Sequence, residues 1–245
     1  MVGLDRPSPS TEAAAQVRDV VMEFPNGGER LRVLHDVNLD IAYGALTMLV
    51  GPSGCGKTTL LSIISGTLSA TSGAVSVMNN RLDKMNGTDL VRFRRRKIGF
   101  IFQQYNLIPT LNAAENAAIP LIADGVPWEE ATARAKRLLS TLGLEAHVNK
   151  HPRQLSGGQQ QRIAIARALV HDPSLVVCDE PTAALDAEAG RAVMGLLDDA
   201  AKDPKRAVLV VTHDDRIFTF ADTIVRMNDG RILDQTPQTL SQVPS

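Results

Sequence analysis

Residues 51–59 read Gly51-Pro52-Ser53-Gly54-Cys55-Gly56-Lys57-Thr58-Thr59, the spacing Gly-x-x-x-x-Gly-Lys-[Ser/Thr]. Nothing else in the chain constrains its fold as strongly, because this loop needs a strand entering it and a helix leaving it. Both are present. Leu46-Thr47-Met48-Leu49-Val50 is a nearly continuous apolar run, and Leu60-Leu61-Ser62-Ile63-Ile64 opens a buried helical pattern. Glycines let the backbone turn so that successive N–H groups point inward at phosphate oxygens. The helix start adds partial positive charge at the same place. Lys57 is expected to reach the β- and γ-phosphates of a nucleotide, and the Thr58 hydroxyl to ligate Mg²⁺. A Gly-rich turn with no ligand is the alternative, and the flanking strand and helix argue against it.

The remaining composition sets limits. A chain of 245 residues with 44% hydrophobic residues can build one large domain or two small ones. Its 26 Lys+Arg against 27 Asp+Glu leave a net charge of -1, which speaks against a dedicated nucleic-acid binder, so no nucleic-acid partner is expected. Cys55 and Cys178 lie in Gly-rich or apolar segments without metal-ligand spacing, which suits a reducing compartment. No run approaches the length of a transmembrane helix, and Met1–Arg6 lead into no apolar signal region. The expectation is a cytoplasmic protein that meets a membrane through a partner.

Along the chain, residues 1–16 read as a disordered lead-in and 235–245 as a flexible tail. Alternating segments Val17–Phe24 and Leu31–Ile41 flank Asn26-Gly27-Gly28, which predicts an antiparallel hairpin. Strand Ala45–Val50 and helix Thr58–Leu68 surround the phosphate loop, and Ala74–Met78 returns as a strand. Asp89–Lys97 is helical, and its Arg92, Arg94, Arg95, Arg96 and Lys97 read as a solvated face rather than a nucleic-acid patch. From residue 112 to about 170 the pattern is helical: Ala113–Ala123, Trp128–Leu142 and Gly157–Leu169. Strands then resume at Leu175–Cys178 and Ala207–Val211 around helix Ala187–Ala201. A hairpin, Thr223–Met227 with Arg231–Leu233, closes the chain. Continuous apolar strands of this kind suit a parallel sheet covered on both faces.

Two further strand ends carry chemistry. Val176-Val177-Cys178 runs into Asp179-Glu180. An acid at such an end can hold Mg²⁺ through water, and its neighbour can polarise an attacking water, so Asp179 is assigned to the metal and Glu180 to general-base catalysis. The other apolar strand ends in Thr212-His213, where His213 is placed to meet a γ-phosphate. Leu155-Ser156-Gly157-Gly158-Gln159 opens another helix with a serine and two glycines, a second anion-binding surface. One nucleotide needs only one phosphate loop, so a lone chain leaves this second surface without a task.

With these motifs in this order, residues 17–234 resemble the ATP-binding subunits of ABC transporters. The resemblance implies an α/β fold: a P-loop NTPase with a mixed, largely parallel core sheet, an antiparallel β subdomain, and an inserted α-helical subdomain at about 104–171. It places Gln103 in the Q-loop as a Mg²⁺ contact and Asp186 in the D-loop. It also makes His213 the switch histidine and Phe24 the ring stacking on adenine. Ala183 stands where serine is frequent, and Phe24 where tyrosine is. The family pattern further implies a head-to-tail pair closing on two ATP, with Leu155–Gln159 of one copy gripping the nucleotide bound by Gly51–Thr59 of the other.

Ile101–Pro109 and Thr212–Ile217 are similar to the macrolide-export and lipoprotein-release branch, the latter stretch also to cyanobacterial glycolipid exporters. The reading is therefore an ATPase subunit, using ATP and Mg²⁺, that drives export or envelope lipid handling. Its partners are a separate transmembrane permease, a second copy or paralogue, and a periplasmic adaptor reached through the permease. An importer ATPase, a soluble ABC ATPase of DNA repair or translation, and a non-hydrolysing nucleotide switch are the alternatives.

Overall fold

The computed structural model describes residues 12–238. In chain order these form β1 (Ala13–Asn26), β2 (Glu29–Ala42), β3 (Leu46–Val50), α1 (Lys57–Ile64), β4 (Ser72–Val77), β5 (Asn80–Arg81), α2 (Gly87–Lys97) and β6 (Ile98–Ile101). There follow α3 (Ala113–Ala123), α4 (Trp128–Thr141), α5 (Gly157–Leu169), β7 (Leu175–Asp179), α6 (Ala187–Ala201), β8 (Ala207–Thr212), β9 (Thr223–Asn228) and β10 (Arg231–Pro237).

Two sheets result. The antiparallel one has the order β2-β1-β4-β5, and its first hairpin turns at Gly27-Gly28, as the sequence predicts. The larger sheet runs β10-β9-β3-β8-β7-β6, with every pair parallel except the β9–β10 hairpin. Its strands β3, β6, β7 and β8 are almost wholly apolar because both faces are covered, whereas the edge strand β10 is polar and exposed. Leu49, Val177, Leu209 and Val211 pack with Leu60, Leu61 and Ile64 of α1 and with the antiparallel sheet. Met48, Val50, Val176, Val208 and Val210 face the other way, onto Ile165 of α5 and Val193, Met194 and Leu197 of α6. A third cluster joins α3, α4 and α5 through Ala113, Ala117, Ala118, Ala131, Ala135, Leu139, Ile163 and Ala166. Alanine at so many contacts lets the three helix backbones approach closely.

The parallel register positions the site. Val50 stands opposite Thr212, and Asp179 opposite Val211, so β3, β7 and β8 end level with one another. Their C-terminal edge is where open α/β sheets place ligands.

Several boundaries differ from the sequence expectations. Ala13–Gln16, expected in the lead-in, belong to β1, with Ala14 and Ala15 buried; residues 1–11 lie outside the described residues. Gln235–Pro237, expected in the tail, pair with Val225, Ile224 and Thr223, while residues 239–245 lie outside the described residues. Helix α1 stops at Ile64 rather than Leu68, because Gly66 turns left-handed (φ 67°) and Ser62 O accepts from the Thr67 and Leu68 amides.

The basic face of α2 is solvated only in part. Arg94 Nη1 donates to Gly66 O at 2.5 Å, Arg95 Nη1 to Ala123 O at 2.8 Å and Arg96 Nε to Asp124 at 2.9 Å. These arginines fasten α2 to the end of α1 and to the C-terminus of α3, where cations also meet the helix dipole. The Arg96 guanidinium holds the Asp124 carboxyl below the usual carboxylate range.

Strand β6 packs against α5 without room for a side chain at Gly99, where an added Cβ would lie 2.2 Å from Ala168 O. Gly99→Ala is expected to cost about 2–3 kcal/mol of stability. The measurement is the urea midpoint at constant m-value. An unchanged midpoint would mean that β6 and α5 separate at no cost.

Candidate functional site

The phosphate loop begins where Gly51 presses against β9, so close that a Cβ would lie 2.1 Å from Met227 O. Helix α1 then starts after Gly56 with no side-chain cap, leaving its first N–H groups unspent for an anion. Lys57 is the first residue of α1 and is 7% exposed. Its Nζ donates to Gly51 O (2.7 Å) and Pro52 O (2.8 Å), so the ammonium lies folded over the loop it belongs to. Pro52, Ser53 and Gly54 form the exposed rim, with Cys55 and Thr58 flanking Gly56-Lys57 and Thr59 just beyond.

Thr58 Oγ1 donates to Asp179 Oδ1 at 3.3 Å, which joins the start of α1 to the end of β7. Burial raises the pKa of the Asp179 carboxyl and Glu180 adds to the rise, while the Thr58 hydrogen bond and Lys57 pull the other way. A hydroxyl beside a carboxylate is a hard-oxygen donor set, which fits Mg²⁺ rather than a soft metal. No cluster of three or more His, Cys, Asp or Glu suited to a metal exists among the described residues. Burial raises the Cys178 thiol well above its ordinary range, which keeps it inert.

Glu180 follows at once and adopts a left-handed backbone, φ 49°. Its N–H donates to Val211 O at 2.9 Å. The carboxylate is held on both oxygens: Oε1 lies 2.6 Å from His213 Nδ1, and Oε2 accepts from Thr212 Oγ1 at 3.3 Å. His213 is 60% exposed and Glu180 13%, so the imidazole forms the outer wall of this pair. The phosphate loop, Asp179, Glu180 and His213 are thus brought together along one sheet edge.

The stretch expected to form a second anion surface lies elsewhere. Ser156 caps α5 in a reciprocal capping box: Ser156 Oγ accepts from Gln159 N (3.3 Å) and Gln159 Oε1 from Ser156 N (3.0 Å). Leu155 anchors in the helical core, a Cβ on Gly158 would lie 3.3 Å from Ala189 Cβ, and one on Gly157 would meet Tyr105 Oη at 2.8 Å. A cleft is lined by Ser156–Gln159 together with Ala184, Leu185 and Asp186, and no residue of the phosphate loop takes part in it. Asp186 also has a local task, capping α6 through Oδ1 to the Glu188 and Ala189 amides.

Gln103 and Phe24 stand apart. Gln103 is exposed after β6 and forms no hydrogen bond to Thr58 or Asp179 among the described residues. The Phe24 ring, 36% exposed, sits near the end of β1 opposite Leu31. Sequence reasoning passed over two residues that hold these loops. Arg167 of α5 grips the Tyr105 and Asn106 carbonyls at 2.8 and 2.6 Å, and its burial lowers its pKa. His147 Nε2 lies 2.9 Å from Gln159 Nε2 and steadies the capping box. Neither sits in a recognisable motif, and only the tertiary contacts reveal them.

The family model described as ABC transporter matches residues 34–183, more than half of the chain. The chain belongs to the ABC transporter family. This ABC cassette is an ATPase that uses ATP with Mg²⁺, and its α/β P-loop fold with an antiparallel sheet and a helical block is that of the family. An uncharacterised ABC transporter ATP-binding protein of Mycobacterium tuberculosis is 42% identical over 225 residues, covering 91% of this chain and 68% of that one. The macrolide export ATP-binding/permease protein MacB of Psychrobacter cryohalolentis is 38% identical over 218 residues, 89% of this chain but only 33% of MacB. Among solved structures, an ATP-binding cassette captured as a dimer in a post-hydrolysis state with ADP and Pi superposes with TM-score 0.83. It is 40% identical, with 91% of this chain and 98% of that one covered. The cassette cbiO1 of Clostridium perfringens, part of the transporter complex cbiONQ, gives TM-score 0.82 at 28% identity, with 92% and 89% covered. No helix of the described residues is long and apolar enough to cross a membrane.

Proposed function

We propose that this ABC cassette hydrolyses ATP as one half of a head-to-tail pair and drives export, or envelope lipid or lipoprotein handling, through a separate permease. The observation that carries the reading is the separation of the two anion surfaces. Gly51–Thr59 converges with Asp179, Glu180 and His213, whereas Ser156–Gln159 shares its cleft with Asp186. A second copy turned head to tail gives each nucleotide both halves of its site. The dimeric relative with ADP and Pi favours this arrangement, and the macrolide-export relative favours export over import.

In this reading Phe24 stacks on adenine and the loop amides with Lys57 bind the phosphates. Thr58, Gln103 and, through water, Asp179 would hold Mg²⁺, which would supply charge neutralisation on the phosphates. Glu180 takes a proton from the attacking water. His213 keeps the Glu180 carboxylate oriented until a γ-phosphate offers a better partner. The apolar groove beside Gln103, where Phe100 and Phe102 stack at 4.2 Å next to Val91 and Ile98, suits a permease segment. That contact would hold the cassette on the inner face of the cell membrane, with any periplasmic adaptor reached only through the permease.

Ser156→Arg tests the pairing. A bulky cation at the helix start leaves the phosphate loop of the same chain untouched, so the affinity of the monomer for ATP should stay within about twofold. Steady-state turnover should fall about 100-fold, as when groups aimed at the transition state are lost. Turnover at the wild-type rate would refute the shared site.

A further inference from the structure

We propose that Gln161 is a positioning residue for Glu180, tying the backbone of the base to the helix that carries the Ser156 anion surface. This rests on the reading of Glu180 as the base and of Ser156–Gln159 as the grip on a partner's nucleotide.

Gln161 is the fifth residue of α5 and is completely buried, an unusual place for a side-chain amide. Its Nε2 donates to Pro181 O at 2.9 Å. Pro181 directly follows Glu180, whose left-handed φ of 49° is disfavoured for a residue with a side chain. Such a conformation persists only where its surroundings over-determine it. On the N-terminal side Glu180 is fixed by its N–H to Val211 O at 2.9 Å. On the C-terminal side Pro181 has no N–H to offer, and the turn bond from Ala183 N to Glu180 O is long, 3.3 Å. The Gln161 bond is therefore the short, buried restraint on that side.

The same junction has unused capacity. Gln161 Oε1 and Thr182 Oγ1 are both buried and make no hydrogen bond among the described residues. A small shift of the Thr182–Asp186 segment can engage either atom while the Pro181 bond is kept. Ser156 lies about 7.5 Å up the helix axis from Gln161, at 1.5 Å per residue. The Gln161–Pro181 bond thus couples helix α5 to the backbone of the base. Engagement of Ser156–Gln159 by the partner's ATP sets the orientation of Glu180 over this chain's own ATP.

The test is Gln161→Met, of similar length and without a donor, in the full chain. The expected result is a fall in kcat of about 30-fold, in keeping with the cost of misplacing a catalytic group. ATP affinity by fluorescent-nucleotide titration and ATP-driven dimerisation, followed in the Glu180→Gln background, should both be retained. Because Gln161 acts through Glu180, adding Gln161→Met to Glu180→Gln should change the residual single-turnover rate by less than about twofold. An equal loss in both backgrounds, or a parallel loss of affinity and dimerisation, would overturn the proposal and make Gln161 a packing residue. Should Gln161→Met fail to fold, Gln161→Leu removes the donor with a smaller side chain; wild-type kcat in that variant also overturns it. Wild-type turnover by Glu180→Gln alone marks the failure as that of the base assignment, and the proposal falls with it.

Discussion

Glu180→Gln is expected to lower steady-state ATP hydrolysis about 10³-fold while leaving ATP binding intact, the scale set by removing a general base. The substitution keeps shape and nearly keeps geometry. An amide oxygen can still face His213 Nδ1, and the amide NH₂ can donate to Thr212 Oγ1, which now accepts where it had donated. What is lost is the ability to take a proton from water. Because no contact with the phosphate loop changes, ATP should still close the pair, and closure without hydrolysis should trap it. Light scattering with ATP should then report a stable dimer, where the wild-type chain cycles back to monomer. A variant that stays monomeric with ATP would count against the head-to-tail pair. Hydrolysis within a few-fold of wild type would remove Glu180 from the base role.

Much of this site can be read from sequence because parallel strands leave plain marks. Leu175–Cys178 and Ala207–Val211 are apolar at every position since each successive side chain meets a different cluster, and polar residues appear only where the strand leaves the sheet. Those exits are Asp179-Glu180 and Thr212-His213. At the phosphate loop, glycine is legible because the close approach of Gly51 to Met227 admits no side chain.

The misreadings have equally physical origins. Ala13–Gln16 look featureless because a small-residue strand edge and a lead-in share the same composition, and only pairing with β2 and β4 separates them. Arg94, Arg95 and Arg96 of α2 look wholly solvated because their partners, Gly66 O, Ala123 O and Asp124, are 28 residues distant in sequence. Gln161, Arg167 and His147 act through carbonyls and an amide that no periodicity announces. Motifs record where the ligand goes; the contacts that hold motifs in place are tertiary.

Lys57→Ala is expected to weaken ATP binding about 100-fold and, at fixed sub-saturating ATP, to lower turnover about 10³-fold. A charge-assisted hydrogen bond to phosphate contributes about 1.5–3 kcal/mol, which alone is roughly one to two decades of affinity. The structure adds a second cost. The ammonium bridges Gly51 O and Pro52 O, so the same group that would meet the phosphates also holds the loop in its nest shape. Without it both carbonyls lose a donor, and the loop must be ordered at the moment of binding. Lys57 is 7% exposed, so truncation also removes packed methylenes, and that loss of stability has to be separated from the loss of charge. Lys57→Met does so: it keeps the unbranched stem and removes only the ammonium. Titration of a fluorescent ATP analogue should give nearly the same weakening for Lys57→Met as for Lys57→Ala, while the thermal midpoint of Lys57→Met stays closer to wild type. Lys57→Arg should not restore affinity, because the planar guanidinium cannot fold back onto two adjacent carbonyls and still reach the phosphates. Wild-type affinity in Lys57→Met would show that the loop amides and the start of α1 bind the phosphates without the lysine.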